Sequence, residues 1–206
     1  MKQGIQNLAL TAAAATALLT GCAAVTPTRE ITTGYAIFDI KASPDITHGR
    51  IAEAVKVGLQ KHMGRVQITN AIPPSPLPEK APRFQMVSLF KGTNLAALAR
   101  ASGQRLDVPT CDGAIVTANA DDTSMRRYGE STTFFTCLMP YQGGWSLNIY
   151  TTFEKASGSI SAATLGATLA RTVVGDASQL IPRTIAGVID EVKAAGATAK
   201  LVEAYP

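Results

Sequence analysis

The residues of this chain that could support catalysis or metal binding are few and far apart. The two histidines, His48 and His62, lie at opposite ends of one predicted helix, about 21 Å apart along its axis. They are too distant to share a metal ion, and no Cys/His cluster has the spacing of a zinc site. His48 follows Asp45 closely enough for a base with an orienting carboxylate. We expect instead a surface histidine at a helix start.

Motifs for the common reaction types are absent from the sequence. There is no Gly-x-Ser-x-Gly elbow, Walker loop or dinucleotide fingerprint. Asp121 and Asp122 lack the spacing of a calcium-binding EF-hand loop, and with Arg126 and Arg127 close by they predict a salt-bridged loop tip. Basic residues are scattered without interleaved aromatics, which argues against nucleic-acid binding. We therefore expect no enzymatic activity, no cofactor and no metal.

The most specific motif is Leu19-Thr20-Gly21-Cys22, which closes a short apolar run. The run covers residues 8–19 and is shorter than the roughly twenty residues of a membrane-spanning helix, but it has the length of the apolar core of a signal peptide. The motif resembles the lipobox of bacterial lipoproteins. That resemblance implies removal of residues 1–21 and acylation of Cys22, and two or more acyl chains hold a protein stably on a membrane.

The residues after the lipobox indicate where the anchor is sorted. Position 23 is Ala rather than Asp, which by resemblance to enterobacterial lipoproteins implies the outer membrane, with the domain facing the periplasm. Residues 22–33 predict a lipidated tether of at most ~35–40 Å, and residues 34–206 predict a single domain. The alternative is an ordinary secretory signal that happens to contain Cys22.

The two remaining cysteines, Cys111 and Cys137, predict a disulfide. An even pair in an exported chain favours one, and residues 114–118 and 131–139 have the composition of strands. An antiparallel hairpin centred on Ser124 places the two cysteines directly opposite, with Cβ atoms ~4.5–5.5 Å apart, close to the disulfide range. The alternative is two buried free thiols.

The first elements read as strand, helix and strand. Apolar residues predict a central strand over 35–40, and a 3.6-residue period predicts a helix over 48–62 with Thr47 as N-cap. A second strand follows over 65–69. If the two strands are parallel, the connection is right-handed.

The later elements complete an α+β domain. A two-residue alternation over 145–153 indicates a strand with one buried and one wet face. Further strands are predicted over 83–90, 114–118 and 131–139, and helices over 95–101, 161–174 and 179–195, with residues 196–206 either frayed or an edge strand. Together these predict a mixed, mainly antiparallel sheet of five or six strands with helices packed on one face.

A proline-rich segment over 71–83 is too dense in proline for a helix or a central strand. It could dock a partner as a polyproline segment, but a rigid connection across the domain surface is the simpler interpretation. The candidate partner contacts are this segment, the predicted loop tip and the tryptophan beside a turn: Pro73, Pro74, Pro76, Asp121, Asp122, Arg126, Arg127 and Trp145.

These features predict an outer-membrane-anchored periplasmic lipoprotein. It would be a non-enzymatic binding or accessory subunit of an envelope machine for secretion, transport or cell-wall assembly, in contact with an envelope protein. The strand–helix–strand opening after a lipobox is similar, at the level of fold alone, to lipoproteins that assist envelope assembly, including the curli-export, penicillin-binding-protein activator and TolB amino-terminal group. Two alternatives stand: a lipoprotein that binds a small ligand or lipid between helices and sheet, and an envelope hydrolase.

Overall fold

The protein is an α+β domain with one large antiparallel sheet. The computed structural model describes residues 28–89, 107–124, 126, 129–157 and 179–205. In chain order the elements are β1 (Thr28–Ala42), α1 (His48–His62), β2 (Arg65–Asn70), β3 (Gln85–Ser88), β4 (Asp107–Thr110), β5 (Val116–Asp122), β6 (Glu130–Tyr141), β7 (Gly144–Ser157), α2 (Leu180–Ala194) and β8 (Ala197–Tyr205). Six strands form the sheet in the order β2-β5-β6-β7-β1-β8, and β3 pairs with β4 in a separate two-stranded ribbon. The predicted fold class is confirmed.

The two described helices begin and end as their periodicity predicts. In α1 the side chain of Thr47 accepts a hydrogen bond from the Arg50 amide, which satisfies one of the free donors of the first turn. Pro182 lies in the first turn of α2, where its missing amide costs little. The predicted helices over 95–101 and 161–174 lie outside the described residues.

The helices pack closely against each other through two glycines. A Cβ atom at Gly58 would lie 2.6 Å from the Cα atom of Val188, and one at Gly187 would lie 2.0 Å from Nε2 of His62. The apolar face of each helix contacts one face of the sheet, which we call the helix face. The buried apolar side chains between helices and sheet include Ile40, Ile51, Val55, Leu59, Phe134, Leu138, Leu147 and Val188.

The first strand is longer than the sequence indicated. Residues 28–33, predicted as part of the tether, pair with β7 and belong to β1. The reason is that β7 continues to Ser157 and offers backbone partners along this whole stretch. The rest of the predicted tether lies outside the described residues. Strands β1 and β2 run in the same direction, as a strand–helix–strand unit requires, but three antiparallel strands separate them.

The predicted disulfide is confirmed, although the register used to predict it is wrong. Cys111 and Cys137 are bonded with their Cα atoms 6.3 Å apart. Cys137 nevertheless lies opposite Thr117, so the hairpin is centred three residues beyond Ser124. Cys111 precedes β5 and reaches Cys137 because the intervening loop turns back onto β6, where the Ile115 amide donates to the Leu138 carbonyl at 2.8 Å.

The second face of the sheet, which we call the outer face, carries the proline strap (residues 71–84). The Gln142 amide donates to the Pro78 carbonyl at 2.9 Å, and the Phe84 amide donates to Oδ1 of Asn148 at 3.1 Å. Arg83 forms an ion pair with Glu203 of β8. The strap therefore crosses the sheet and delivers the chain to the ribbon.

Candidate functional site

A cleft of about 750 Å³ lies between the ribbon and the outer face of the sheet. Its floor consists of two rows of side chains that the strand register aligns across the sheet. One row is Gln67, Asn119, Phe135 and Tyr150; the other is Arg65, Asp121, Thr133, Thr152 and Thr33. All of them point outward because side chains alternate along a strand. The sheet register, rather than any local motif, assembles this floor.

The roof and mouth of the cleft are apolar. Met86 and Leu89 from β3 and the turn after it, with Val108 and Pro109 from β4, line it from the ribbon side. Met86, Leu89 and Ile31 are 43%, 58% and 62% exposed. These are large side chains that a ligand in the cleft would shield from water.

Charged groups lie at the β2 end of the floor. Nη1 of Arg65 is 3.6 Å from Oδ2 of Asp121, and Asp107 of the ribbon lines the same cleft. The Arg65 side chain is 69% exposed, so this pair contributes little to stability. Its distance exceeds a hydrogen bond, which leaves the guanidinium donors available to a further acceptor.

An aromatic cluster anchors the end of the strap beside the cleft. The ring of Phe84 lies 5.4 Å from that of Tyr35 and 5.8 Å from that of Tyr150, within the range of favourable aromatic pairs. The Tyr35 hydroxyl donates to Glu203 at 2.6 Å. This hydrogen bond raises the pKa of Tyr35 and, with the bond from Arg83, lowers the pKa of Glu203. The cluster holds the point from which the ribbon departs.

A second polar cluster on the outer face has a structural role. Nζ of Lys41 donates to the Tyr141 hydroxyl at 2.5 Å, which donates in turn to Asp39 at 2.7 Å. The contact with Tyr141 raises the pKa of Lys41, and burial raises the pKa of Tyr141. Lys41 also bonds the carbonyl of Gly143, so the cluster fixes the turn between β6 and β7.

Trp145, predicted as a surface contact, lies in the core. It is only 6% exposed, because the alternation of β7 turns it toward the helices, and its Nε1–H donates to Nδ1 of His48 at 2.8 Å. The neutral His48 ring then carries its proton on Nε2. A hydrogen bond with Ser43 lowers the pKa of Asp45. His48 therefore contacts Trp145 and Asp45 contacts Ser43, instead of the Asp45–His48 pair that a general base would require.

The predicted salt-bridged loop tip lies only partly within the described residues, and both of its aspartates have contacts there. Asp121 pairs with Arg65 across the sheet, and Asp122 accepts a hydrogen bond from the Ser124 amide at 2.8 Å. The amide of Arg126 continues the turn, and Arg127 lies outside the described residues. The two aspartates therefore serve a cross-strand ion pair and a turn.

The remaining predicted site residues are the three prolines of the strap and the cysteine of the predicted lipid anchor. Pro73 and Pro74 are half-buried and Pro76 is exposed, so Pro76 is the strap proline most open to a partner. Cys22 lies outside the described residues. The described part of the chain contains no cluster of three or more His, Cys, Asp or Glu that could hold a metal ion.

Sequence comparison and membrane topology add two findings. The chain matches no protein-family model and no curated protein. None of the described helices has the length and apolarity needed to cross a membrane.

The fold and cleft define an α+β domain with an open cleft on the outer face of its sheet. The described residues that line the cleft offer hydroxyl, amide and carboxylate groups and one guanidinium group beside apolar surface, with no histidine or cysteine among them. The sequence predicted that one face of β7 is polar. It did not indicate that the ribbon lies over this face.

Proposed function

We propose that this chain is a lipoprotein of the bacterial cell envelope, held in the outer membrane by an acylated Cys22 with its domain facing the periplasm. The observation that carries the proposal is the Leu19-Thr20-Gly21-Cys22 motif at the end of an apolar run of signal-peptide length. The thiol of Cys22 is the group that takes a diacylglyceryl thioether. The disulfide between Cys111 and Cys137 supports an oxidising compartment.

We propose further that the domain acts by binding, as an accessory subunit of an envelope machine for secretion, transport or cell-wall assembly. The support is a rigid platform with exposed groups: the strap is held by hydrogen bonds at Pro78 and Phe84. It presents Pro76 and the 89% exposed Ile72 to a partner. A pre-organised segment of this kind loses little conformational entropy on binding.

The anchor is tested by the intact mass of the protein extracted from membranes and alkylated with and without reductant. We expect a triacylated chain that begins at Cys22 and two thiols that appear only after reduction. The Cys22→Ser variant should lack the lipid mass and leave the membrane fraction. A wild-type chain without lipid, or one that begins elsewhere, would contradict the anchor.

The accessory role is tested by photo-crosslinking in intact cells, with a photoreactive residue at Pro76 or, as control, at the exposed Thr198 on the edge strand β8. We expect one stoichiometric envelope protein to be crosslinked from Pro76 and lost in Cys22→Ser cells. Equal labelling from both positions, or no discrete product over several growth conditions, would count against the role.

A further inference from the structure

We propose that the cleft between the ribbon and the outer face binds a single-chain zwitterionic amphiphile of the lysophospholipid type. The floor extends over five strands, from Arg65 on β2 to Thr33 on β1. Four strand spacings of ~4.8 Å make it ~19 Å long. The cleft has a volume of about 750 Å³, which lies within the usual range for small-ligand sites. An elongated molecule fits this shape better than a compact one.

The polarity of the cleft changes along its length. Arg65 and Asp121 lie at the β2 end, whereas the described lining of the β1 end is uncharged and combines Ile31 with the hydroxyls of Thr33 and Thr152. Between them, Phe135 and Tyr150 on the floor and the apolar ribbon side chains enclose the middle. A ligand with a charged head and an apolar body would place each part against matching groups. Two long acyl chains exceed the volume of about 750 Å³, whereas a single chain can lie along the floor with its far end leaving the cleft beyond Ile31.

The charges at the β2 end match a head group that carries both signs. Arg65 offers guanidinium donors that its 3.6 Å pair with Asp121 does not consume, and phosphate is a preferred partner of such donors. Asp107 and Asp121 supply two carboxylates in the same cleft, which suit an ammonium group. A ligand that carries only negative charge would be repelled by these two carboxylates.

One step of the inference rests on the proposed anchor. The first strand begins at Thr28, six residues after Cys22, so an extended connection spans only ~20 Å. Ile31 at the apolar end of the cleft follows three residues later. An acylated Cys22 would therefore keep the apolar end near the bilayer surface, where single-chain lipids are available.

Binding is tested by isothermal titration of the full chain carrying Cys22→Ser, so that no acyl chain of its own enters the cleft. The probes are monopalmitoyl lysophosphatidylethanolamine, palmitate and monopalmitoylglycerol, each below its critical micelle concentration, and free phosphoethanolamine. We expect saturable one-to-one binding of the zwitterionic lipid, at least tenfold tighter than the other three. No saturable binding, or palmitate binding equally well, would overturn the assignment.

Two pairs of variants locate the site. Thr133→Trp fills the centre of the floor from an exposed strand position and should weaken binding at least tenfold. Thr69→Trp, on the outer face but outside the cleft, should leave it unchanged. Arg65→Gln should remove the preference for the zwitterionic head, and Arg29→Gln should not. Unweakened binding in Thr133→Trp would overturn the site. A failed anchor with intact binding removes only the step that concerns the bilayer.

Discussion

Breaking the Cys111–Cys137 disulfide is expected to lower the free energy of unfolding by about 3.5 kcal/mol. The bond joins residues 26 positions apart. In the chain-entropy model a closed loop of that length removes about 12 cal/mol/K of entropy from the unfolded chain, which is about 3.5 kcal/mol at 25 °C. Cys137 is fully buried against Ala114 and Met139, so the bond also holds the start of β5 against β6.

The assay uses the one tryptophan of the chain as its reporter. Trp145 is buried and hydrogen-bonded to His48, so its emission should shift to longer wavelength on unfolding. Urea titrations compare the oxidised protein, the reduced protein and the Cys111→Ala/Cys137→Ala variant. With an m value of about 2 kcal/mol per M, the midpoint should fall by about 1.7 M on reduction.

The reduced protein keeps both sulfur atoms and therefore isolates the bond from the loss of side-chain volume. The alanine variant should respond to urea in the same way with and without reductant, which controls for effects of the reductant itself. Coincident midpoints for the oxidised and reduced wild-type protein would refute the reasoning, because the loop constraint would then contribute nothing.

Three further predictions concern the helix crossing, a buried hydroxyl and one carboxylate. Gly58→Ala should lower the free energy of unfolding by about 1–3 kcal/mol in urea titrations, because the new Cβ would lie 2.6 Å from the backbone of the facing helix. Gly187→Ala is the control. Its Cβ would meet only the exposed ring of His62, which can move away, so this variant should be neutral or stabilising. Thr136→Val should stabilise by about 1 kcal/mol, because the fully buried Thr136 hydroxyl has no hydrogen-bond partner among the described residues; lower stability would contradict this. The pKa of Glu203 is lower in the folded protein than in the unfolded chain. The ionised carboxylate therefore stabilises the fold fully above the pKa of the unfolded state, and this stabilisation is lost as the pH falls through the pKa of the folded state. Wild type and Glu203→Gln should therefore differ in stability at neutral pH and converge in acid.

Local patterns of the sequence predicted the regular elements well. The 3.6-residue period of Ile51, Val55 and Leu59 located α1, and the alternation that begins at Trp145 located β7. Both patterns arise from residues that are neighbours in the chain, so they can be recognised without knowledge of the fold. The pairing of the two cysteines was predicted correctly, but from a register that the structure does not have.

The same local patterns could not predict the candidate site. Trp145 was named a partner contact because it stands beside a turn, although it belongs to the apolar row of β7 and lies in the core. Asp121 forms an ion pair with Arg65 of β2 that the sequence did not indicate, because sheet pairing brings together residues that are far apart in the chain. The floor of the cleft consists entirely of such cross-strand neighbours.

By itself, the sequence determined the two described helices, most of the described strands and the identity of the paired cysteines, since these depend on local periodicity and on residue type. Only the tertiary structure decided the order of the strands, the route of the strap and the cleft beneath the ribbon. These depend on contacts such as that between Phe84 and Asn148, 64 residues apart, whose formation is a property of the whole folded chain.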